Sequence, residues 1–221
     1  GIYCNNSIGN IVNTIIDSNW TDGSAGGAGI YLLGSNLTID NCEISRNTTP
    51  RNGGGIEAWT GSQLSIKNTL VTDNTSGYSG GGIYIQDNVY LVVEDCIISN
   101  NLASINLSNA DGGGVSIYGY CQAIFKRVQI TNNSAQGQGG GIYLSDYSWN
   151  AAAGSDLQLI NTTISGNIIY GTQSYAGGGG LQVGPNTSAT IVNSIIYGNS
   201  ALHGSQIQYW SSASSNQTLE F

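Results

Sequence analysis

Histidine, methionine and basic side chains are almost missing from this chain of 221 residues, and each shortage closes off a class of function. A single His, His203, leaves no multi-His metal site. Five Lys and Arg against thirteen Asp and Glu give a net charge of −8. That balance carries no footprint for nucleic acid and disfavours any polyanionic partner. No apolar run approaches the roughly 18 residues of a membrane-spanning helix, so we expect no membrane insertion. No segment has a helix-length amphipathic pattern either. Met is absent and the chain opens in mid-motif at Gly1-Ile2-Tyr3-Cys4. We therefore expect a processed or truncated piece of a larger protein, without its signal peptide, start or caps. Charged residues are only 8% of the chain, and Asn, Ser, Thr and Gly supply an uncharged polar surface instead.

What is plentiful is glycine, 33 residues of it, and it is periodic. Gly-Gly-Gly and an aliphatic anchor recur at Gly55-Ile56, Gly82-Ile83, Gly114-Val115, Gly141-Ile142 and Gly180-Leu181, with a Gly-Gly-Ala-Gly variant ending at Gly29-Ile30. A second motif, an aliphatic residue with Asn three places on, recurs at Ile16-Asn19, Ile44-Asn47, Val71-Asn74, Ile98-Asn101, Ile130-Asn133, Ile164-Asn167 and Ile196-Asn199. The Asn positions are 27 to 34 residues apart, the period of a solenoid. Each unit carries two or three short strand signals, such as Gly82-Ile83-Tyr84-Ile85-Gln86, Leu91-Val92-Val93 and Cys42-Glu43-Ile44. With no room for a helix, successive turns of chain pair in parallel. The predicted fold is all-β: a right-handed parallel β-helix of about eight rungs. We expect one domain over residues 1–221, with Ile2, Ile30, Ile56, Ile83, Val115, Ile142, Leu181 and Ile207 stacked in one inward column. Longer connections at 102–111, 145–156 and 168–176 are expected to protrude as loops.

The punctuation has physical reasons. Glycines before the first strand permit positive φ at a tight corner. The recurrent Asn is expected to tolerate the left-handed conformation and to hydrogen-bond from rung to rung as an internal ladder. Asp40, Lys67, Glu94 and Lys126 fall on successive rungs, as do Asp95 and Arg127, placing opposite charges on adjacent strands. Arg46 and Arg51 are then the unassigned cations. Cys42 and Cys96 share a repeat position two rungs apart, roughly 9–10 Å by strand spacing. That exceeds the ~7 Å Cα limit for a disulfide, so the four Cys are read as buried thiols, with one bridged pair left open.

The pairing of Gly-Gly-Gly-Ile with Ile-x-x-Asn resembles the repeat of the chlamydial polymorphic membrane proteins, Gly-Gly-Ala-Ile with Phe-x-x-Asn. Here Ile or Val replaces the Phe, and Gly usually replaces the Ala. Ile130-Thr131-Asn132-Asn133-Ser134-Ala135 followed by Gly139-Gly140-Gly141-Ile142-Tyr143 carries the likeness most clearly. Residues 193–201 are similar to the last rungs of large secreted bacterial β-helix proteins. The resemblance implies the β-helix fold and a bacterial, extracellular or outer-surface setting. It leaves activity open among adhesins, carbohydrate-active enzymes and other roles.

Candidate site residues lie on the outward face of the Gly-Ile strands. One place after the anchor the column includes Tyr31, Glu57, Tyr84 and Tyr143; three places after it come Trp59 and Tyr118. Rings beside amides and hydroxyls suit a sugar surface, and Tyr147 and Trp149 on the 145–156 connection are expected to wall it. The same Tyr stack could serve only as cross-strand packing. Glu57 is the weak catalytic candidate, since glycosidases need converging carboxylates and lyases need clustered carboxylates with a base. Only Arg46 and Arg51 sketch such a centre. No cofactor is expected, and Ca²⁺ has no nonapeptide Asp repeat to hold it. The reading is a non-enzymatic extracellular or cell-surface β-helix, adhesin-like, structural or glycan-binding. Its expected partners are glycans or host or neighbouring surface proteins, with end-to-end self-association. The alternative is a polysaccharide lyase, a glycoside hydrolase or a carbohydrate-binding module.

Overall fold

The structure, a computed structural model, describes residues 1–23, 26–104, 109–146, 154–210 and 218–221. Strands and turns, but no helix, occur among the described residues. One turn of the solenoid runs through Ile56–Trp59, Gln63–Lys67, Leu70–Thr72 and Thr75–Ser76 before the next begins at Ile83. A turn thus holds four strands where the sequence signals predict two or three. Two-residue segments such as Thr75–Ser76 are too short to show a periodicity. Stacking yields four parallel sheets of eight, eight, seven and five strands. The anchor column runs in unbroken register through Ile2, Ile30, Ile56, Ile83, Val115, Ile142, Leu181 and Ile207, as expected.

Alternation along the strands builds the main core. The first sheet contributes the anchors and the residues two places on, the second Leu37, Leu64, Leu91 and Leu157 with Ile39, Ile66, Phe125 and Leu159, and the third Ile44, Val71, Ile98, Ile130 and Ile164. A second, smaller cluster of Ala103, Ala110, Ala135, Ile169 and Ala176 lies beneath the fourth sheet. Two of the longer connections begin in this layer. Segments 102–111 and 168–176 open with the strands Leu102–Ala103 and Ile168–Ile169, and each returns to the body through a buried Ala.

The recurrent Asn does form an internal ladder. Asn74 donates from Nδ2 to Asn101 Oδ1 at 3.0 Å and to the Ile44 carbonyl at 2.9 Å. Its backbone N–H donates to the same Asn101 Oδ1 at 3.0 Å. Its own Oδ1 accepts the matching pair from Asn47. The pattern runs from Asn19 to Asn199, where Gln206 Oε1 accepts the last Nδ2 at 2.9 Å. The glycine triplet is the other half of this device. A Cβ on Gly82 would lie 2.7 Å from the Gly114 carbonyl oxygen and 3.0 Å from Asn101 Nδ2, so the carboxamide fills the space a side chain would need. The left-handed residue is not the ladder Asn, as predicted, but the one before it: Ser18, Arg46, Asp73, Asn100 and Asn132 have positive φ. The ladder Asn must point inward, and the preceding residue makes the corner.

Two further ladders are built from a small hydroxyl or thiol at a corner, as at Cys42 and Cys96, each just after a left-handed residue. Cys42 N–H donates to Thr69 Oγ1 at 3.2 Å and Thr69 N–H to Cys96 Sγ at 3.4 Å. At another corner Ser35 N–H donates to Ser62 Oγ, and Cys121 N–H to Ser155 Oγ, both at 3.1 Å. The four Cys are free. Burial pushes the thiols of Cys96 and Cys121 up to about 11 and about 12, so these are unreactive rungs rather than nucleophiles.

On the outside, Asp40, Lys67, Glu94 and Lys126 align in register as expected. Glu94 is bridged by Lys67 at 3.3 Å and by Arg127 at 2.6 Å, and Arg127 also holds Asp95 at 2.7 Å. Arg46 is not unassigned, for it pairs with Asp17 at 2.6 Å. Arg51 donates to the Gly23 carbonyl at 2.6 Å and lies 5.8 Å from the centre of the Tyr78 ring.

The ladder sets the first prediction. Asn101→Ala strips the partners of several buried polar groups at once and should cost ~3 kcal/mol or more in urea unfolding. Gln129→Ala, at an exposed position on a neighbouring strand, should cost under ~0.5 kcal/mol. Equal effects would contradict a ladder that holds the turns together.

Candidate functional site

The column one place after the anchors is not the open aromatic face that strand alternation predicts. Glu57 is 3% exposed, Tyr84 7%, Ser116 0% and Gln182 1%. The glycine-rich chain returning from the fourth sheet lies over them. A Cβ on Gly53 would meet the Glu57 Cβ at 2.7 Å, and one on Gly26 would meet Glu57 Oε2 at 2.0 Å. Of the candidate rings, Tyr31, Trp59, Tyr118 and Tyr143 belong to half-buried residues on the outward side of the first sheet. Tyr31 stacks on Tyr3 with centroids 5.5 Å apart, and Trp59 tilts against Tyr84 at 6.2 Å. Tyr84 also hydrogen-bonds Gln86. Tyr147 and Trp149 lie outside the described residues.

Glu57 sits in this covered layer. The Trp59 indole N–H donates to its Oε1 at 2.7 Å. Oε2 has no hydrogen bond of ordinary geometry. Burial dominates and pushes the carboxyl up to about 7, against the opposing pull of the Trp59, Asn52 and Gly26 donors. Arg46 and Arg51, the sketched partners, are committed elsewhere and are not among the groups acting on Glu57.

A second perturbed carboxyl, Asp111, was missed in the sequence. It occupies the place just before a glycine triplet, where other turns carry Asn52, Ser79 and Gln138. Those residues form a ladder of their own. Ser79 N–H donates to Asn52 Oδ1 at 3.1 Å, Asp111 N–H to Ser79 Oγ at 3.2 Å, and Gln138 N–H to Asp111 Oδ1 at 2.7 Å. Burial pushes Asp111 up to about 7 despite the Gln138 bond. Burial, and then the charge of Asp111, raise the Tyr143 hydroxyl. Glu57 and Asp111 belong to different turns, and neither figures among the causes of the other's shift. Among the described residues no group of three or more His, Cys, Asp or Glu could hold a metal ion.

Beyond Tyr143 the flank opens into a cleft of about 190 Å³ lined by Gln138, Tyr143, Ser145, Gln182, Gly184, Pro185 and Trp210. Its walls are the rings of Tyr143 and Trp210. Trp210 stands three places after the last anchor, Ile207, in the same outward column as Trp59 and Tyr118.

Residues 1–157 match the family model described as a right-handed beta helix region. The chain belongs to that family. No curated protein and no solved structure gives a significant match.

The two raised carboxyls make a pH prediction. Each binds its proton more tightly in the folded chain than at its ordinary value of 4.5 or 3.8, so ionisation opposes folding. Their stabilising contribution is complete below those ordinary values and is lost as pH rises toward about 7. Glu57→Gln should flatten part of this decline in denaturation midpoints measured from pH 4 to pH 8. An unchanged slope would show that Glu57 is not buried in this way.

Proposed function

We propose that this β-helix is a non-enzymatic extracellular or cell-surface segment that binds glycans along one flank of the rod. The observation that carries the reading is the row of half-buried rings, Tyr31, Trp59, Tyr118 and Tyr143, on four different turns of one side. Rings exposed in part, beside amides and hydroxyls, supply apolar contact to sugar faces and hydrogen bonds to their hydroxyls. The likeness of the Gly-Gly-Gly-Ile and Ile-x-x-Asn pairing to bacterial surface-protein repeats supports the setting. The spacing of the rings suits an extended ligand lying along the rod axis, and the internal ladders hold the turns that carry them in fixed relation.

A second reading, a glycoside hydrolase or polysaccharide lyase, draws on Glu57. A carboxyl held near pH 7 by burial has the protonation range of a general acid. Against it stands burial: glycosidases need two carboxyls flanking an accessible scissile bond, and Glu57 is 3% exposed. Glu57 Oε2 is also closed over by Gly26.

Glycan-array binding combined with an activity screen on neutral and uronic polysaccharides tests the choice. The proposal expects binding, unaffected in mode by Glu57→Gln, and no chain cleavage. Cleavage that disappears in Glu57→Gln would replace the binding reading with the enzymatic one.

A further inference from the structure

The covered column on the first sheet changes character toward its end. Through Tyr84 it is packed: Tyr3 stacks on Tyr31, Trp59 donates to Glu57, and Trp59 tilts against Tyr84. At Gln182 it reaches the cleft between Tyr143 and Trp210. Gln182 is 1% exposed, yet its carboxamide is poorly held. Nε2 has one long contact, 3.4 Å to the Val183 carbonyl, and Oε1 has no partner. A buried amide in that condition is costly, and it gains from a ligand that supplies both a donor and an acceptor. Because neither end of the amide is well bonded, rotation about its last torsion sacrifices little protein hydrogen bonding.

The charge around the cleft is one-sided. No Lys, Arg or His lines it. Asp111 acts on Tyr143 and Asp146 acts on Tyr118 beside it, while His203 stands on the adjoining turn, its carbonyl accepting from Gly178 next to Gln182. Of the five basic residues, Arg46, Lys67 and Arg127 are in ion pairs on other faces. An anionic ligand would find no cation among the lining residues to offset the desolvation of its charge. The volume, about 190 Å³, is below the ~300 Å³ at which drug-sized pockets begin and suits one ring rather than several.

We propose that the cleft between Tyr143 and Trp210 is a subsite for a single uncharged sugar residue, with Gln182 as its hydrogen-bonding floor, and that it excludes uronic acids. The assignment rests on the glycan-binding reading above and adds to it a place and a substrate class. Trp210, 42% exposed, provides a ring face that can be removed without opening the core. Gln182 distinguishes sugar hydroxyls from plain apolar rings, since only the former satisfy its amide. Ser145 and Pro185 also line it.

The test is a glycan array carrying neutral, amino- and uronic-acid oligosaccharides, followed by calorimetric titration of the strongest binder into the wild-type chain, Trp210→Ala and Gln182→Leu. The expected result is a neutral oligosaccharide whose affinity falls at least tenfold in Trp210→Ala, with an unchanged circular dichroism spectrum. Gln182→Leu should lose as much for neutral sugars; if that variant misfolds, Trp210→Ala alone decides. A uronic or amino sugar as the best ligand, or an affinity untouched by Trp210→Ala, would overturn the subsite and leave glycan binding elsewhere on the flank intact. An array with no binder at all would overturn both.

Discussion

Closure of each turn by an asparagine carboxamide is the constraint on which the rest of the molecule depends. A buried amide is expensive unless all its hydrogen-bonding positions are used. In this chain they are used only when the neighbouring turn offers another amide in the same place, as Asn74 does for Asn47 and Asn101 does for Asn74. The requirement passes from turn to turn and fixes the register of the stack. It also dictates the glycine triplets, because the carboxamide of Asn101 occupies the volume a Cβ on Gly82 would take. Two motifs about twenty residues apart in sequence are therefore one structural unit.

With the corners locked by amide, hydroxyl and thiol ladders, variation is confined to the connections and to the covered column of the first sheet. That is where the rule of satisfied polar groups lapses. Glu57 Oε2, Ser116 Oγ, Gln182 Oε1 and Gln208 Oε1 are all buried without partners, and all four occupy the place after an anchor. The Asn ladder satisfies its buried amides turn after turn, and although Gln173 Oε1 and Asn186 Oδ1 also lie buried without partners, four such atoms in one column mark it as a part not shaped by folding alone. The half-buried rings and the cleft at Tyr143 and Trp210 adjoin this column.

The fold was legible because its signals repeat. Seven copies of Ile-x-x-Asn or its Val variant and the recurrent Gly-aliphatic anchors outweigh the ambiguity of any one strand, and the inward column follows from alternation alone. The fourth sheet was not legible, since pairs such as Thr48–Thr49 and Ser134–Ala135 have no period to read. The site was read only in part. Alternation correctly turned Glu57 and Tyr84 away from the core but could not show that the returning glycine chain covers them. Asp111 escaped notice because its significance lies in a ladder built from four different residue types, Asn52, Ser79, Asp111 and Gln138, which share no sequence pattern. Arg46 looked available for chemistry because its partner, Asp17, is a whole turn away in sequence.

The central claim, that side-chain amides hold this rod together, is open to direct measurement by NMR hydrogen exchange of the Asn carboxamide protons. The Nδ2 protons of Asn74, Asn101 and Asn133 should exchange as slowly as the core backbone amides of Ile83 and Val115, several orders of magnitude slower than those of exposed Asn36 and Asn132. Exchange of the ladder carboxamides at the rate of the exposed ones would contradict the account.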